Sequence, residues 1–322
     1  MWWKLRQLNE LLLIKTKGMK RRDFIKNTVA GSTLVGLGGL PLTGFSQPKT
    51  KQLTILHTND VHSHIDPFPA DHPKNPNMGG IVKRAVLIEK IRQENPNVLL
   101  LDAGDSFQGT PYFNYYGGEL EFKLMSKLGY DATTIGNHEF DNGIDGLAAQ
   151  MQHAQFEVLS ANYDFKNTVM LPFVKPYKVF HKNGIKVGVF GLGVELAGLV
   201  DKKMYKETIY NDPVEIAADS VKKLKLEEKC DLIICLSHLG YAYKNDPDKI
   251  SDAKLATLTK DIDLIIGGHT HTFLDKPTIL KNSENKDVLV NQVGCYGINL
   301  GRIDFYFDTD SSVVSKGKAI IV

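Results

Sequence analysis

From residue 49 onward, short runs of branched apolar residues alternate with stretches whose apolar positions return every three or four residues. The short runs predict strands at Gln52–Thr58, Asn97–Asp102, Ala132–Ile135, Leu232–Leu236 and Asp263–Ile266. Gly80–Glu94 predicts a helix, with Ile81, Ala85, Ile88 and Ile91 at helical spacing. Glu119–Leu128, Pro213–Glu228 and a segment around Asp252–Thr259 predict further helices, the second with proline near its first turn. Tyr177–Phe180 and Ile185–Leu192 flank Asn183-Gly184, the strongest two-residue hairpin signal. From Val288 to Ile321 the pattern is strand and hairpin only. Early βα units followed by hairpins imply an α/β domain with two sheets and helices outside, not one doubly wound sheet. There is no internal repeat. The Pro/Asn-rich stretch Asp66–Asn77 reads as a loop insertion in which His72 is a solvated residue.

Residues 1–48 do not share this pattern and read as a targeting segment, leaving 49–322 as the folded domain. Lys20-Arg21-Arg22-Asp23-Phe24-Ile25-Lys26 is a twin-arginine pattern. A weakly apolar run from Thr28 to Phe45 follows, and Gly44 and Ser46 flank a candidate cleavage point. Five glycines and Pro41 interrupt that run, so no permanent membrane span is expected. Met19, just before the pattern, is a second candidate start. The mature protein is expected in the periplasm.

Charge sharpens the choice of partner. The formal net charge is +2, but residues 1–48 hold eight Lys or Arg against two acidic residues. The remainder carries 31 basic and 35 acidic residues and is mildly acidic. That argues against a nucleic-acid polymer, whose binding needs clustered cations. Small anionic substrates stay open, because metals can supply positive charge locally. Cys230, Cys235 and Cys295 show no CxxC spacing, and Cys235 reads as a core residue. Cysteine chemistry is therefore not the expected basis of function.

Five clusters of ligand-type residues follow predicted strands: Asn59-Asp60-Val61-His62, Gly104-Asp105, Gly136-Asn137-His138-Glu139, Ser237-His238 and Gly267-Gly268-His269-Thr270-His271. The carboxyl ends of strands are where α/β sheets assemble ligand sites. Imidazoles with carboxylate or amide oxygens, and no thiolate, favour Zn²⁺, Mn²⁺ or Fe. Two cations about 3.5–4 Å apart clamp the attacking and leaving oxygens of a phosphoryl transfer. Such a centre needs six or seven protein ligands, and the clusters offer that number. The other candidates have blander readings. His57 is structural, His64 lies near the metals, and His153 and His181 are surface positions. Glu139 and Asn142 orient neighbours. Gly104–Gly109 is not a nucleotide-phosphate loop, because the Gly-Lys-Ser/Thr part is missing.

In this order the clusters resemble the calcineurin-like metallophosphoesterase superfamily. Leu53-Thr54-Ile55-Leu56-His57-Thr58-Asn59-Asp60, Val98-Leu99-Leu100-Leu101-Asp102-Ala103-Gly104-Asp105, Gly136-Asn137-His138-Glu139-Phe140-Asp141-Asn142-Gly143 and Leu159-Ser160-Ala161-Asn162 resemble its 5′-nucleotidase branch, over roughly residues 52–310. The resemblance implies a four-layer αββα sandwich. It also implies two divalent metal ions, one held by Asp60, His62 and His271, the other by Asn137, His238 and His269, with Asp105 bridging. His138, paired with Asp141, would face the phosphate without binding metal. A water activated by the metals would attack phosphorus directly, with Asn137 and His138 stabilising the phosphoryl oxygens and no covalent phosphoenzyme.

Two departures bear on this. His271 stands where that branch tends to have Gln or Asn, which leaves the metal preference open. The branch also continues into a C-terminal domain with stacking aromatics and phosphate-binding arginines, and this sequence ends before it. A separately encoded nucleotide-binding domain is therefore an expected partner, and the expected substrate is a small phosphoester, first of all a nucleotide. Alternatives on the same scaffold are a cyclic 2′,3′-phosphodiesterase/3′-nucleotidase and a thiosulfohydrolase. A non-catalytic metal-binding subunit is the alternative of another class, and the intact ligand set speaks against it.

Overall fold

The computed structural model describes residues 50–308 and 313–322, so the expected targeting segment lies outside the described residues. Its strands are β1 (Lys51–Thr58), β2 (Val98–Asp102), β3 (Ala132–Thr134), β4 (Glu157–Leu159), β5 (Tyr163–Asp164), β6 (Val174–Lys175), β7 (Tyr177–Lys182) and β8 (Ile185–Leu192). They continue as β9 (Ile209–Tyr210), β10 (Leu232–Ser237), β11 (Leu264–Gly267), β12 (Thr278–Lys281), β13 (Asp287–Asn291), β14 (Asn299–Phe307) and β15 (Val313–Ile321). One sheet runs β15-β14-β1-β2-β3-β4-β6 and the other β12-β13-β11-β10-β8-β7, while β5 and β9 pair separately. Both large sheets are mixed. β1, β2, β3, β4 and β6 are parallel, with β14 antiparallel to β1; β8, β10, β11 and β13 are parallel, with β7 and β12 as antiparallel edges.

Strand periodicity sorts the apolar residues into three layers. Leu53, Ile55, Leu99 and Leu101 of the first sheet pack against Val187, Val189, Ile234, Leu236 and Ile266 of the second. Their neighbours face outward. Leu56 and Leu100 meet Ile88 and Ile91 of helix Ile81–Glu94 and Phe122 and Met125 of helix Glu119–Leu128. On the far side, Ile233 and Cys235 meet Ala217 and Val221 of helix Pro213–Lys222 and Leu255 of helix Asp252–Leu258. Strands buried on both faces read as continuous apolar runs, which is why they stand out in the sequence. The result is the expected αββα sandwich.

The hairpin signal is met literally. Asn183 and Gly184 both take positive φ (54° and 71°) between β7 and β8, as a two-residue turn of the primed kind requires. Other expectations need correction. The helix expected over Pro213–Glu228 is α-helical only to Lys222 and then widens to a π-helical turn over Lys223–Glu227. Helices Pro111–Tyr116 and Gly143–Gln150 are additional to the expected set, being too short to show a period. His72 lies in a loop as expected but is half-buried; its ring packs 4.5 Å from that of Phe68 and its Nδ1 accepts from Asn75 N. All three cysteines are free and buried, with Cys235 in the core. No helix among the described residues is long and apolar enough to cross a membrane.

Candidate metal centre

The chain leaves β1, β2, β3, β10 and β11 at their carboxyl ends, and all nine residues singled out in the sequence lie on the segments that follow. Asp60, His62, Asp105, His269 and His271 all have φ between 49° and 73°. Non-glycine residues rarely adopt this left-handed conformation, and it persists only where the surroundings enforce it. Here five of the nine residues share it. Neighbouring glycines leave the room this needs. A Cβ on Gly136 would collide with Asp105 Oδ1, and one on Gly268 would lie 2.7 Å from His238 Nδ1.

Three groups of side chains each have ligand atoms within 4.8 Å of one another: Asp60, His62 and His271; His62, Asp105 and His138; and Asp105, His238 and His269. His62 Nε2 is 2.9 Å from His271 Nε2, and His271 Nε2 is 3.3 Å from Asp60 Oδ1. Across the site, Asn137 Oδ1 is 2.8 Å from His269 Nδ1. Asp105 belongs to two of the groups, so its carboxylate sits between them.

The ring orientations fit cation ligation. His62 Nδ1 lies 3.2 Å from Phe107 O and His238 Nδ1 lies 2.7 Å from Ala103 O. Donating Nδ1–H to a carbonyl leaves Nε2 as a lone pair facing the site, which is how metal-ligating histidines are usually oriented. His238 Nε2 is the informative atom. It is fully buried, faces the Asp105 carboxylate with Oδ2 2.9 Å away, and is without a hydrogen-bond partner. A buried polar atom without a partner is costly unless something outside the protein chain completes it. A divalent cation between these groups would do so.

The electrostatics point the same way. Burial opposes protonation of His238, but Asp105 and Asp60 outweigh it and lift its pKa to about 10. Burial opposes protonation of His271 as well, and there Asp60 and Cys295 outweigh it and lift the pKa to about 10. Without a cation, the carboxylates thus draw protons onto neighbouring imidazoles. Burial, reinforced by the positive field of His238, pushes His269 down to about 4. His138 differs in kind. Its Nδ1 is 2.7 Å from Asp141 Oδ2, which raises its pKa above the ordinary histidine range, and its side chain is 34% exposed.

Several residues that organise the site escape a reading of the sequence as ligands. Glu139 accepts from the backbone N–H groups of Asp105, Ser106 and Gly136 at 2.7–2.9 Å, tying the β2 and β3 loops together. Asn59 donates to Asp60 Oδ2 and to Gly294 O, and Asp60 also accepts from His269 N. Gln292 donates to Gly268 O and accepts from Thr270 Oγ1 and Thr272 N. Asp252, wholly buried behind β10, accepts from Ser237 Oγ, and burial pushes its pKa up to about 8. Of the two neighbours named in the sequence, Glu139 orients the loops of the site, and Asn142 lies against Gly117 and Gly146. His57 is structural as expected, fully buried with Nε2 2.8 Å from Asn291 Nδ2.

Comparison with known proteins agrees with this geometry. The profile of the calcineurin-like phosphoesterase family matches residues 53–273. The trifunctional nucleotide phosphoesterase YfkN of Bacillus subtilis is 36% identical over 299 residues, covering 83% of this chain and 19% of that protein. The snake venom 5′-nucleotidase of Gloydius brevicauda is 35% identical over 293 residues, covering 84% of this chain and 48% of the relative. The crystal structure of a 5′-nucleotidase precursor from Thermus thermophilus superposes with a TM-score of 0.76 at 35% identity, covering 84% of this chain and 55% of that one. The chain thus spans about half the length of these nucleotidases, and less of YfkN.

Proposed function

The chain belongs to the calcineurin-like phosphoesterase family, and from that premise we propose that it is an exported hydrolase of phosphate monoesters that uses two divalent cations. Its first substrates are nucleoside 5′-monophosphates, which it converts to nucleoside and phosphate. The observation that carries this reading is that Asp60, His62 and His271 form one group and Asp105, His238 and His269 another, each with ligand atoms within 4.8 Å, while Asp105 also comes within that distance of His62.

In this reading Asp60, His62 and His271 would hold one ion, Asn137, His238 and His269 the other, and Asp105 would serve both. When bound, two such cations supply Lewis-acid activation of water and neutralise charge on the phosphoryl oxygens. The remaining work falls to side chains. Asp141 fixes the proton of His138 on Nδ1 and favours the imidazolium, directing Nε2–H towards the phosphate. The His138 backbone N–H donates to Asp105 Oδ1 at 2.9 Å, so the carboxylate that both ions would share also positions this histidine. The Asn137 amide serves as ligand and as a second donor to the developing oxyanion. No covalent phosphoenzyme is required.

The test is to assay the purified chain with Mn²⁺, Zn²⁺ or Co²⁺ against AMP, cyclic nucleotides and p-nitrophenyl phosphate. The reading expects phosphate release from AMP that EDTA abolishes and metal restores. No release from any ester with any metal would overturn it. The similarity to a trifunctional nucleotide phosphoesterase favours a second reading, in which cyclic 2′,3′-phosphodiesters are also cleaved. Residues 1–48 are proposed as a twin-arginine export signal. Replacing Arg21 and Arg22 together by lysine should hold the precursor in the cytoplasm, and normal export of that variant would remove the proposal.

A further inference from the structure

Tyr296 is an unusual residue beside the metal centre. Its φ is +61°, a left-handed conformation that is a true outlier for so large a side chain. Its N–H donates to Asp60 O at 2.7 Å, so it is fastened to the backbone of a proposed metal ligand. Its ring lies 5.9 Å from the rings of both His62 and His271 and remains partly open to solvent. Strain of this kind, held in place next to a site, points to a job for the side chain it aims.

The ring does not stand alone. His64 lies 4.3 Å from Tyr296 at an interplanar angle of 36°, Phe68 lies 5.2 Å from His64, and His72 lies 4.5 Å from Phe68. A file of half-buried rings therefore runs from the metal ligands out along the Asp66–Asn77 loop. Nothing in the phosphoryl chemistry uses it. A planar aromatic group attached to the ester oxygen would have these rings within reach when its phosphate sits at the metals.

We propose that Tyr296, backed by His64 and Phe68, is a specificity platform on which the planar part of the leaving group, a nucleobase or an aryl ring, packs. This rests on the phosphoesterase reading above and names what the site selects. It places selectivity for the leaving group within this chain. Tyr296 acts as a specificity residue and takes no part in bond cleavage.

The experiment compares AMP with ribose 5-phosphate, which differ only in the base. In Tyr296→Leu, kcat/KM should fall roughly 10-fold more for AMP than for ribose 5-phosphate, as loss of one base–aromatic contact implies. Tyr296→Phe should restore the preference, since it keeps the ring, and Phe68→Leu should lower it by less. A second arm needs no turnover: adenosine binding to metal-loaded protein, by calorimetry, should weaken in Tyr296→Leu and recover in Tyr296→Phe. Equal losses for the two esters, an unchanged ratio, or adenosine binding indifferent to residue 296 would overturn the proposal. Should no ester be hydrolysed while adenosine binding still follows the ring, the phosphoesterase reading fails and the platform stands.

Discussion

On the β10 side of the candidate metal centre His238 is fully buried, whereas on the β1 side His271 leaves 36% of its side chain in solvent. Both residues are imidazoles on segments that follow neighbouring parallel strands. What differs is what lies behind them. His238 ends a strand buried on both faces, with Ser237 held by Asp252 and the ring anchored on Ala103 O. His271 lies beyond the end of β11 on a loop braced by the Gln292 amide, and its outer neighbour is the half-exposed ring of Tyr296. The lesson is that one position is sealed by the fold and the other is completed at the surface. The sealed half should hold its cation longer, and the open half should be the side where substrate enters.

The change expected to do most damage is at the joint between the halves. Asp105→Asn removes the charge both sides share while keeping the shape, so it should lower bound metal well below the approximately two ions of a dinuclear centre. Activity should fall by more than the ~10²–10⁴ typical of losing a positioned acid or base. Elemental analysis showing full metal content would take Asp105 out of the bridging role and with it the idea of coupled halves.

Next in size is His138→Ala. This residue belongs to neither half: Asp141 occupies its Nδ1, and only its backbone touches Asp105. kcat should drop ~10²–10⁴ with metal content kept. Metal lost along with activity would move His138 into the ligand set, which its proximity to His62 and Asp105 makes a real alternative.

What was legible in the sequence and what was not follows the same division between strand and support. The candidate clusters were legible because each trails a predicted strand, and in β2, β10 and β11 that strand is a continuous apolar run that announces its own end. The supports were not. Glu139 is next to His138 in sequence, but its partners Asp105 and Ser106 lie more than thirty residues earlier. Asn59 and Gln292 act through single amides across 235 and 24 residues, and a hydrogen bond leaves no period in the chain. Asp252 opens a helix whose sequence looks ordinary, and only burial makes it unusual. Tyr296 could have drawn notice as a large residue between Cys295 and Gly297 in a turn-rich stretch, but its left-handed backbone is a tertiary fact.

The sealed and open halves can be compared directly with paired truncations. His238→Ala leaves Ala103 O without its donor in a closed space, so it should cost about 1–3 kcal/mol of stability beyond the lost ligand. His271→Ala opens onto solvent and should cost less than about 1 kcal/mol in the metal-free protein. Urea unfolding in EDTA measures both. During chelation of the wild-type protein, one ion should leave quickly and the other slowly, and His271→Ala should remove the fast phase. A single phase, or equal stability losses, would mean that the difference in burial carries no energetic weight.

The smallest effect concerns what backs the sealed half. Asp252 is wholly buried, with Oδ1 accepting from Ser237 Oγ and Oδ2 without a hydrogen-bond partner, and burial raises its pKa to about 8 from an ordinary 3.8. The folded protein therefore keeps a proton on this carboxyl at pH values where the unfolded chain has released it. Stability falls with rising pH wherever the folded state binds more protons, so this group should erode stability from about pH 4 up to about pH 8 and add no further slope above that. The slope cannot exceed about 1.4 kcal/mol per pH unit and should be well below it, since burial effects relax. Asp252→Asn keeps the shape and removes the titration. Measured in EDTA, its Tm should be close to wild type at pH 5 and should gain on wild type by a few degrees as pH rises to 8. Parallel Tm curves for the two proteins would show that Asp252 is ionised throughout, and that the sealed half is backed by a charge where this account places a neutral acid.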